Sequence, residues 1–199
     1  MSGHIEEALG ERPVMIVIRG ATPGETVRLC ERAWRMGVGA VEVTIQTPEA
    51  LPSLRAAVEA GERSGHRVGA GSVHTVEQWD AAVGAGAAFT VAAATVPAVI
   101  ERARTRGIDH VPGAATGTEV ALARDAGATW VKAFPASLLT PAWVSAVRAP
   151  FPGTSFVATG GVDAGNAEAF LAAGCRAVAF GSSFERDDSA AVIAEILSR

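Results

Sequence analysis

The sequence predicts a single (β/α)8 barrel domain over residues 1–199. Two observations carry this. A unit of helical pattern, Gly-containing turn and short apolar strand returns at a spacing of roughly 20–28 residues along the chain. The strands are apolar on both faces, as in a parallel sheet covered by helices. An open doubly wound sheet is the alternative assembly of the same units.

The first strand is Val14–Ile18, and the residues before Pro13 are expected to form a short helix across the barrel bottom. Seven turn-and-strand segments follow: Met36–Ile45, Ser64–Gly71, Gly84–Val91, Arg106–Pro112, Ala126–Phe134, Gly153–Val157 and Gly174–Phe180. Glycine just past a helix supplies the left-handed residue that turns the chain into the next strand. Helices are expected at residues 24–36, 48–63, 75–85, 97–105, 117–126, 141–148, 164–173 and 189–198. Thr47 before Pro48, and Thr140 before Pro141, read as capping hydroxyls ahead of a first-turn proline. Thr116 and Glu119 have capping-box spacing. No linker or low-complexity stretch suggests a second domain.

Composition narrows the partners. Hydrophobic residues make up 49% of the chain, which is ample for a core, and the net charge is −4. There is no basic block, which argues against nucleic acid or an anionic membrane as partner. No apolar run approaches a membrane span, and the acidic N-terminus does not read as a signal peptide, so a soluble cytoplasmic protein is expected. Cys30 and Cys175 lack metal or redox spacing and are expected to be buried free thiols. His4, His66, His74 and His110 are scattered, and solvated loop positions are expected for them. No His/Asp/Glu cluster offers a metal site.

The chemistry concentrates in the sixth predicted strand, Thr129-Trp-Val-Lys-Ala-Phe-Pro135. Lys132 is the only lysine; the other sixteen basic residues are arginine. An ammonium in an apolar strand is costly to bury, and lysine, unlike arginine, can become a neutral nucleophile. The alternative for a lone strand lysine is that it snorkels to water. On the second strand Glu42, Thr44 and Gln46 alternate with Val41, Val43 and Ile45, so the carboxylate is expected to point into the lumen. The second and sixth strands of such a barrel face each other, which sets Glu42 opposite Lys132. A purely structural ion pair is the alternative, though buried pairs stabilise weakly. Thr159-Gly160-Gly161 and Gly181-Ser182-Ser183 follow the seventh and eighth strands, where backbone N–H groups of these barrels commonly hold a phosphate.

With these residues in view, the chain resembles the class I 2-keto-3-deoxy-6-phosphogluconate / 4-hydroxy-2-oxoglutarate aldolase family. The resemblance rests on Val41-Glu-Val-Thr44, Gly69-Ala-Gly-Ser-Val73, Val111-Pro-Gly113 with Thr116, Lys132-Ala-Phe-Pro135 and Thr159-Gly-Gly161, in order from about residue 13 to 185. Ile18-Arg-Gly20 with Thr22 and Pro23, and Phe134-Pro-Ala-Ser137, look more like the 2-keto-3-deoxy-6-phosphogalactonate aldolase branch. The resemblance implies Lys132 as the Schiff-base lysine and Glu42 as general acid/base. It implies that Arg19, Thr159 and Ser72 hold a keto-acid carboxylate, and that Gly160, Gly161, Gly181 and Ser183 hold a distal phosphate. Gln46, Pro112, Thr116, Phe134 and Ser182 complete the expected substrate-binding set. It further implies a small 2-keto acid substrate, no cofactor or metal beyond the lysine imine, and a homotrimer. Three positions depart from the family pattern: Gln46 replaces an arginine of the gluconate branch, Ser72 replaces a threonine, and Ala92-Ala93-Ala94 lacks a proline. Ser72 keeps the hydroxyl; the first and third departures leave the aldehyde half, its C4 stereochemistry and its phosphorylation open. The alternatives are a phosphate-binding barrel of isomerase or synthase activity, which does not require Lys132, and a non-catalytic ligand-binding barrel.

Overall fold

The computed structural model describes residues 4–10 and 12–198. Its strands are β1 (Val14–Ile18), β2 (Ala40–Thr44), β3 (Val68–Gly71), β4 (Thr90–Val91), β5 (His110–Val111), β6 (Gly113–Ala114), β7 (Trp130–Ala133), β8 (Ser155–Thr159) and β9 (Ala177–Phe180). They pair in parallel in the order β5-β4-β3-β2-β1-β9-β8-β7-β6. β5 and β6 are two halves of the fifth predicted strand, divided at Pro112, which has no N–H for the ladder. The first half accepts the Ala92 N–H at Val111, and the Pro112 carbonyl accepts the Lys132 N–H at 2.8 Å. One strand therefore bonds to both neighbours, and the (β/α)8 barrel closes.

Helices α1 (His4–Leu9), α2 (Pro23–Arg35), α3 (Leu51–Ser64), α4 (Val76–Gly84), α5 (Pro97–Arg106), α6 (Gly117–Asp125), α7 (Ala136–Arg148), α8 (Ala167–Ala172) and α9 (Asp187–Leu197) alternate with the strands. Three capping boxes start them: Thr22 with Glu25, Thr75 with Gln78, and Thr116 with Glu119. Gly65 and Gly107 end α3 and α5 in the left-handed conformation expected of helix-terminating glycines. The two proline-linked caps expected at Thr47 and Thr140 do not form. Pro48 opens a short 3-10 turn before α3, and the Thr47 hydroxyl meets the Glu49 side chain instead. Thr140 lies inside the α7 run at φ 63°, not in the extended conformation of a cap, and it breaks that run into two helical segments.

Two apolar layers result. Val41, Val43 and Ile45 pack outward against the helices with Leu54, Trp79 and Phe156. Met15, Val17, Phe89, Trp130 and Val157 fill the lumen, and Ile5, Ala8 and Leu9 of α1 plug its lower end, as expected of the N-terminal segment. Cys30 and Cys175 are buried free thiols, and burial pushes both up to about 12. The histidines correct the expectation of solvated loops. His110 opens β5, is 7% exposed, and shares a 2.8 Å hydrogen bond through Nδ1 with Thr90 Oγ1. His66 stacks on Trp34 at 4.8 Å between ring centroids. A strand neighbour's hydroxyl holds the one imidazole and an indole ring the other, which the short-range sequence context does not reveal.

Candidate active site

The alternation of β2 puts Glu42 in the lumen, and β7 presents Lys132 from the opposite wall. Lys132 Nζ stands 3.7 Å from Glu42 Oε1, with the two side chains 5% and 1% exposed. Neither carboxylate oxygen of Glu42 accepts a hydrogen bond from the described residues. The pair is thus a close contact without a hydrogen bond, too long for a direct one. The Lys132 amine also lies over the Phe134 ring, 5.2 Å from its centroid, because residues two apart on a strand share a face. His74, half-buried after β3, is held below the usual imidazole range by its burial and then by the Lys132 charge.

A cavity of about 700 Å³ opens at the C-terminal ends of β1, β8 and β9; neither Lys132 nor Glu42 is part of its lining. Val17, level with Glu42 in the β1–β2 register, forms part of its wall. Arg19, Phe134 and Thr159 line it nearer the strand ends. Thr159 lies one pleat beyond Val157, the register partner of Lys132. Gly160, Gly161, Gly181, Ser182 and Ser183 line the far side. Gly160 is at φ +88°, and a Cβ there would stand 2.9 Å from the Phe134 ring. The glycine therefore serves both the turn and the seating of Phe134. The Gly160 carbonyl accepts the Ser137 N–H at 2.9 Å, which ties this loop to the segment after Lys132.

The remaining expected site residues lie outside the cavity lining. Pro112 is buried in the wall, where its carbonyl holds the Lys132 backbone. Ser72 follows β3, half-buried, at φ 63°, an uncommon conformation for a residue with a side chain. Gln46 is exposed beyond the end of β2. Thr116 is occupied by its capping box: its hydroxyl and N–H both donate to Glu119 Oε2, at 2.9 Å each. These bonds, led by one from the Ala115 N–H, hold the Glu119 carboxyl below the usual range. The Ser183 hydroxyl, likewise, donates to the Val162 carbonyl at 2.7 Å and braces the loop after β8.

Several contributors lie outside the expected site set. Thr44 is 3% exposed, shares the lumen face with Glu42, and its hydroxyl has no partner among the described residues. The alternation of β2 was the signal for it. Arg28 and Glu185, 3.7 Å apart, and Asp163 and Arg186 ring the outer cavity with both signs of charge. They sit on a helix and on loops rather than at strand ends, so no strand pattern marks them. Among the described residues, no three His, Cys, Asp or Glu side chains group in a way that could hold a metal ion.

Fold and site together define a (β/α)8 barrel with a buried lysine–glutamate pair in its lumen and an open cavity at the C-terminal face of the strands. The family model for KDPG and KHG aldolase matches residues 5–196, and the chain belongs to that aldolase family. A probable 2-dehydro-3-deoxy-6-phosphogalactonate aldolase of Rhizobium meliloti strain 1021 is 36% identical over 174 residues, covering 87% of this chain and 82% of the relative. A solved structure of native KDPGal superposes with a TM-score of 0.84 at 33% identity, covering 92% of this chain and 93% of the other. A Legionella pneumophila KDPG aldolase, solved with pyruvate captured at low pH as a covalent carbinolamine, gives a TM-score of 0.82 at 25% identity, covering 96% and 94%. The isomerase, synthase and non-catalytic alternatives give way to this membership.

Proposed function

We propose that this protein is a class I aldolase that cleaves a 2-keto-3-deoxy-6-phospho sugar acid, of gluconate or galactonate type, or 4-hydroxy-2-oxoglutarate, to pyruvate and an aldehyde. The observation that carries the reading is the 3.7 Å pairing of the chain's one lysine with a buried glutamate across the lumen. The uncharged Lys132 amine attacks the C2 ketone and forms a C–N bond. Glu42 moves the proton that lets the carbinolamine oxygen leave as water, giving an iminium. The same carboxylate takes the proton of the C4 hydroxyl as the C3–C4 bond breaks. The bond's electron pair passes into the enamine, and the aldehyde departs. Protonation at C3 and hydrolysis return pyruvate and free lysine.

Arg19 and Thr159, in the cavity wall, are the groups we assign to the keto-acid carboxylate, together with Ser72, which follows β3 outside that lining. The loops of Gly160–Gly161 and Gly181–Ser182 are assigned to the distal phosphate through their backbone N–H groups. The Ser183 hydroxyl is already given to Val162, so its part is to brace that loop. The reading includes no metal or separate cofactor. A homotrimer is the assembly the family resemblance supports, and a cytoplasmic location is the one expected from the sequence. No helix among the described residues is long and apolar enough to cross a membrane. Leu138 at the start of α7 is 78% exposed and offers apolar surface to a neighbour.

Pyruvate release from the two phosphorylated sugar acids and from 4-hydroxy-2-oxoglutarate, followed with lactate dehydrogenase, tests the proposal. Turnover of at least one is expected. Inertness toward all three by folded protein would remove the reading.

A further inference from the structure

Both lumen-facing positions of β3 are glycine, and neither is required by the backbone. Gly69 and Gly71 lie outside the left-handed region of φ, in an ordinary strand. Glycine inside a strand weakens it and marks a place where something must approach closely. A Cβ on Gly69 would overlap the Phe89 ring. A Cβ on Gly71 would overlap Glu42 Oε1, and would stand 2.6 Å from its Cδ and 2.8 Å from its Cγ. Cγ, Cδ and Oε1 of Glu42 therefore lie in the volume that a side chain at position 71 would fill. The β2–β3 register keeps it there: Thr44 pairs with Gly71, and the Ile45 N–H donates to the Gly71 carbonyl at 2.9 Å.

We propose that Gly71 is a positioning residue for the Glu42 carboxylate. The hollow it leaves in β3 lets Glu42 lie back against the strand, 3.7 Å from Lys132 rather than in a direct hydrogen bond with it. Filling the hollow drives the carboxylate toward the lumen centre, where Lys132 waits on the opposite wall. A tight ion pair there would take both the free amine and the proton shuttle out of use. Gly69 has no such role, since its neighbour is an apolar ring of the lower lumen. The inference rests on the catalytic roles given to Lys132 and Glu42 above.

A double-mutant cycle tests it, with Gly71→Ala, Glu42→Asp and the pair together. Gly71→Ala is expected to lower kcat by roughly 100-fold, the scale of a lost acid–base group, with KM changed far less. The shorter aspartate lacks the Oε1 atom, whose overlap with the new Cβ is the most severe. In the Gly71→Ala background Glu42→Asp should therefore cost at least about tenfold less than it does alone. Additive effects, or a Gly71→Ala enzyme of near wild-type kcat, would overturn the proposal. Should Gly71→Ala fold poorly, melting curves of Gly71→Ala, Glu42→Ala and the double variant carry the test. Removing the glutamate head should relieve the alanine, and an unrelieved loss would contradict the contact. Borohydride trapping of pyruvate by the wild type separates the two levels. No adduct overturns this proposal together with the aldolase mechanism, whereas an adduct with an additive cycle overturns this one alone.

Discussion

Lys132 and Glu42 meet across the full width of the barrel, from β7 and β2, with 3.7 Å between Nζ and Oε1. Three strands separate them on either side of the ring, so only closure of the barrel brings them together. An isolated buried pair of this kind adds little stability, and a stretched one adds less. On the proposed mechanism its value lies in chemistry, and the first predictions follow from that.

Lys132→Ala and Lys132→Arg should both reduce pyruvate release to background. The arginine keeps the positive charge but cannot supply a neutral amine. Steady-state cleavage assays decide it, and near wild-type turnover by Lys132→Arg would mean that the residue serves as a charge and not as a nucleophile.

Glu42→Gln should lower kcat by roughly 10²–10⁴-fold, the usual range for a lost acid–base group. The amide has nearly the same shape and fits the hollow over Gly71, so the melting temperature should move little. A collapsed melting transition with preserved specific activity would make Glu42 a structural residue.

Stability should fall as the pH drops from about 6.5 toward 4. Burial, and then the charge of His74, hold His110 down to about 4, so it is neutral in the fold while the unfolded chain takes up a proton at about 6.5. The unfolded state binds more protons throughout that window. The stabilisation is therefore complete above about pH 6.5 and lost progressively down to about 4, by roughly 3 kcal/mol at most. Urea titrations across this range check it: His110→Gln should flatten that part of the curve, and an unchanged slope would place the proton uptake elsewhere.

Thr116→Ala should cost about 1 kcal/mol of stability, the usual loss for a helix cap, with KM little changed. A large rise in KM without loss of stability would return Thr116 to the substrate-binding set.

Much of this was legible in the chain. The repeating helix–turn–strand unit gave the barrel, because parallel strands buried on both faces carry an apolar signature that does not depend on distant partners. The Lys132–Glu42 pairing was legible for the same reason: strand alternation fixes the face and strand order fixes the opposite wall. What escaped was set by three-dimensional approach. Pro112 divides the fifth strand while its carbonyl still bonds to Lys132, which needs the neighbouring strand to be seen. Thr140 takes a positive φ that its Thr-Pro context does not announce. Gly71 reads as one glycine of a motif until the Glu42 head is found in its place. Arg28 and Asp163 reach the cavity from a helix and a loop, outside any strand register.

The most direct measurement is borohydride reduction in the presence of pyruvate, read by intact and peptide mass. The chain has one lysine, so the result is unambiguous in position. A single adduct on the peptide that carries Lys132, absent without pyruvate, is the predicted outcome. No adduct from folded protein at several pH values, or an adduct confined to the N-terminal amine, would contradict the imine mechanism.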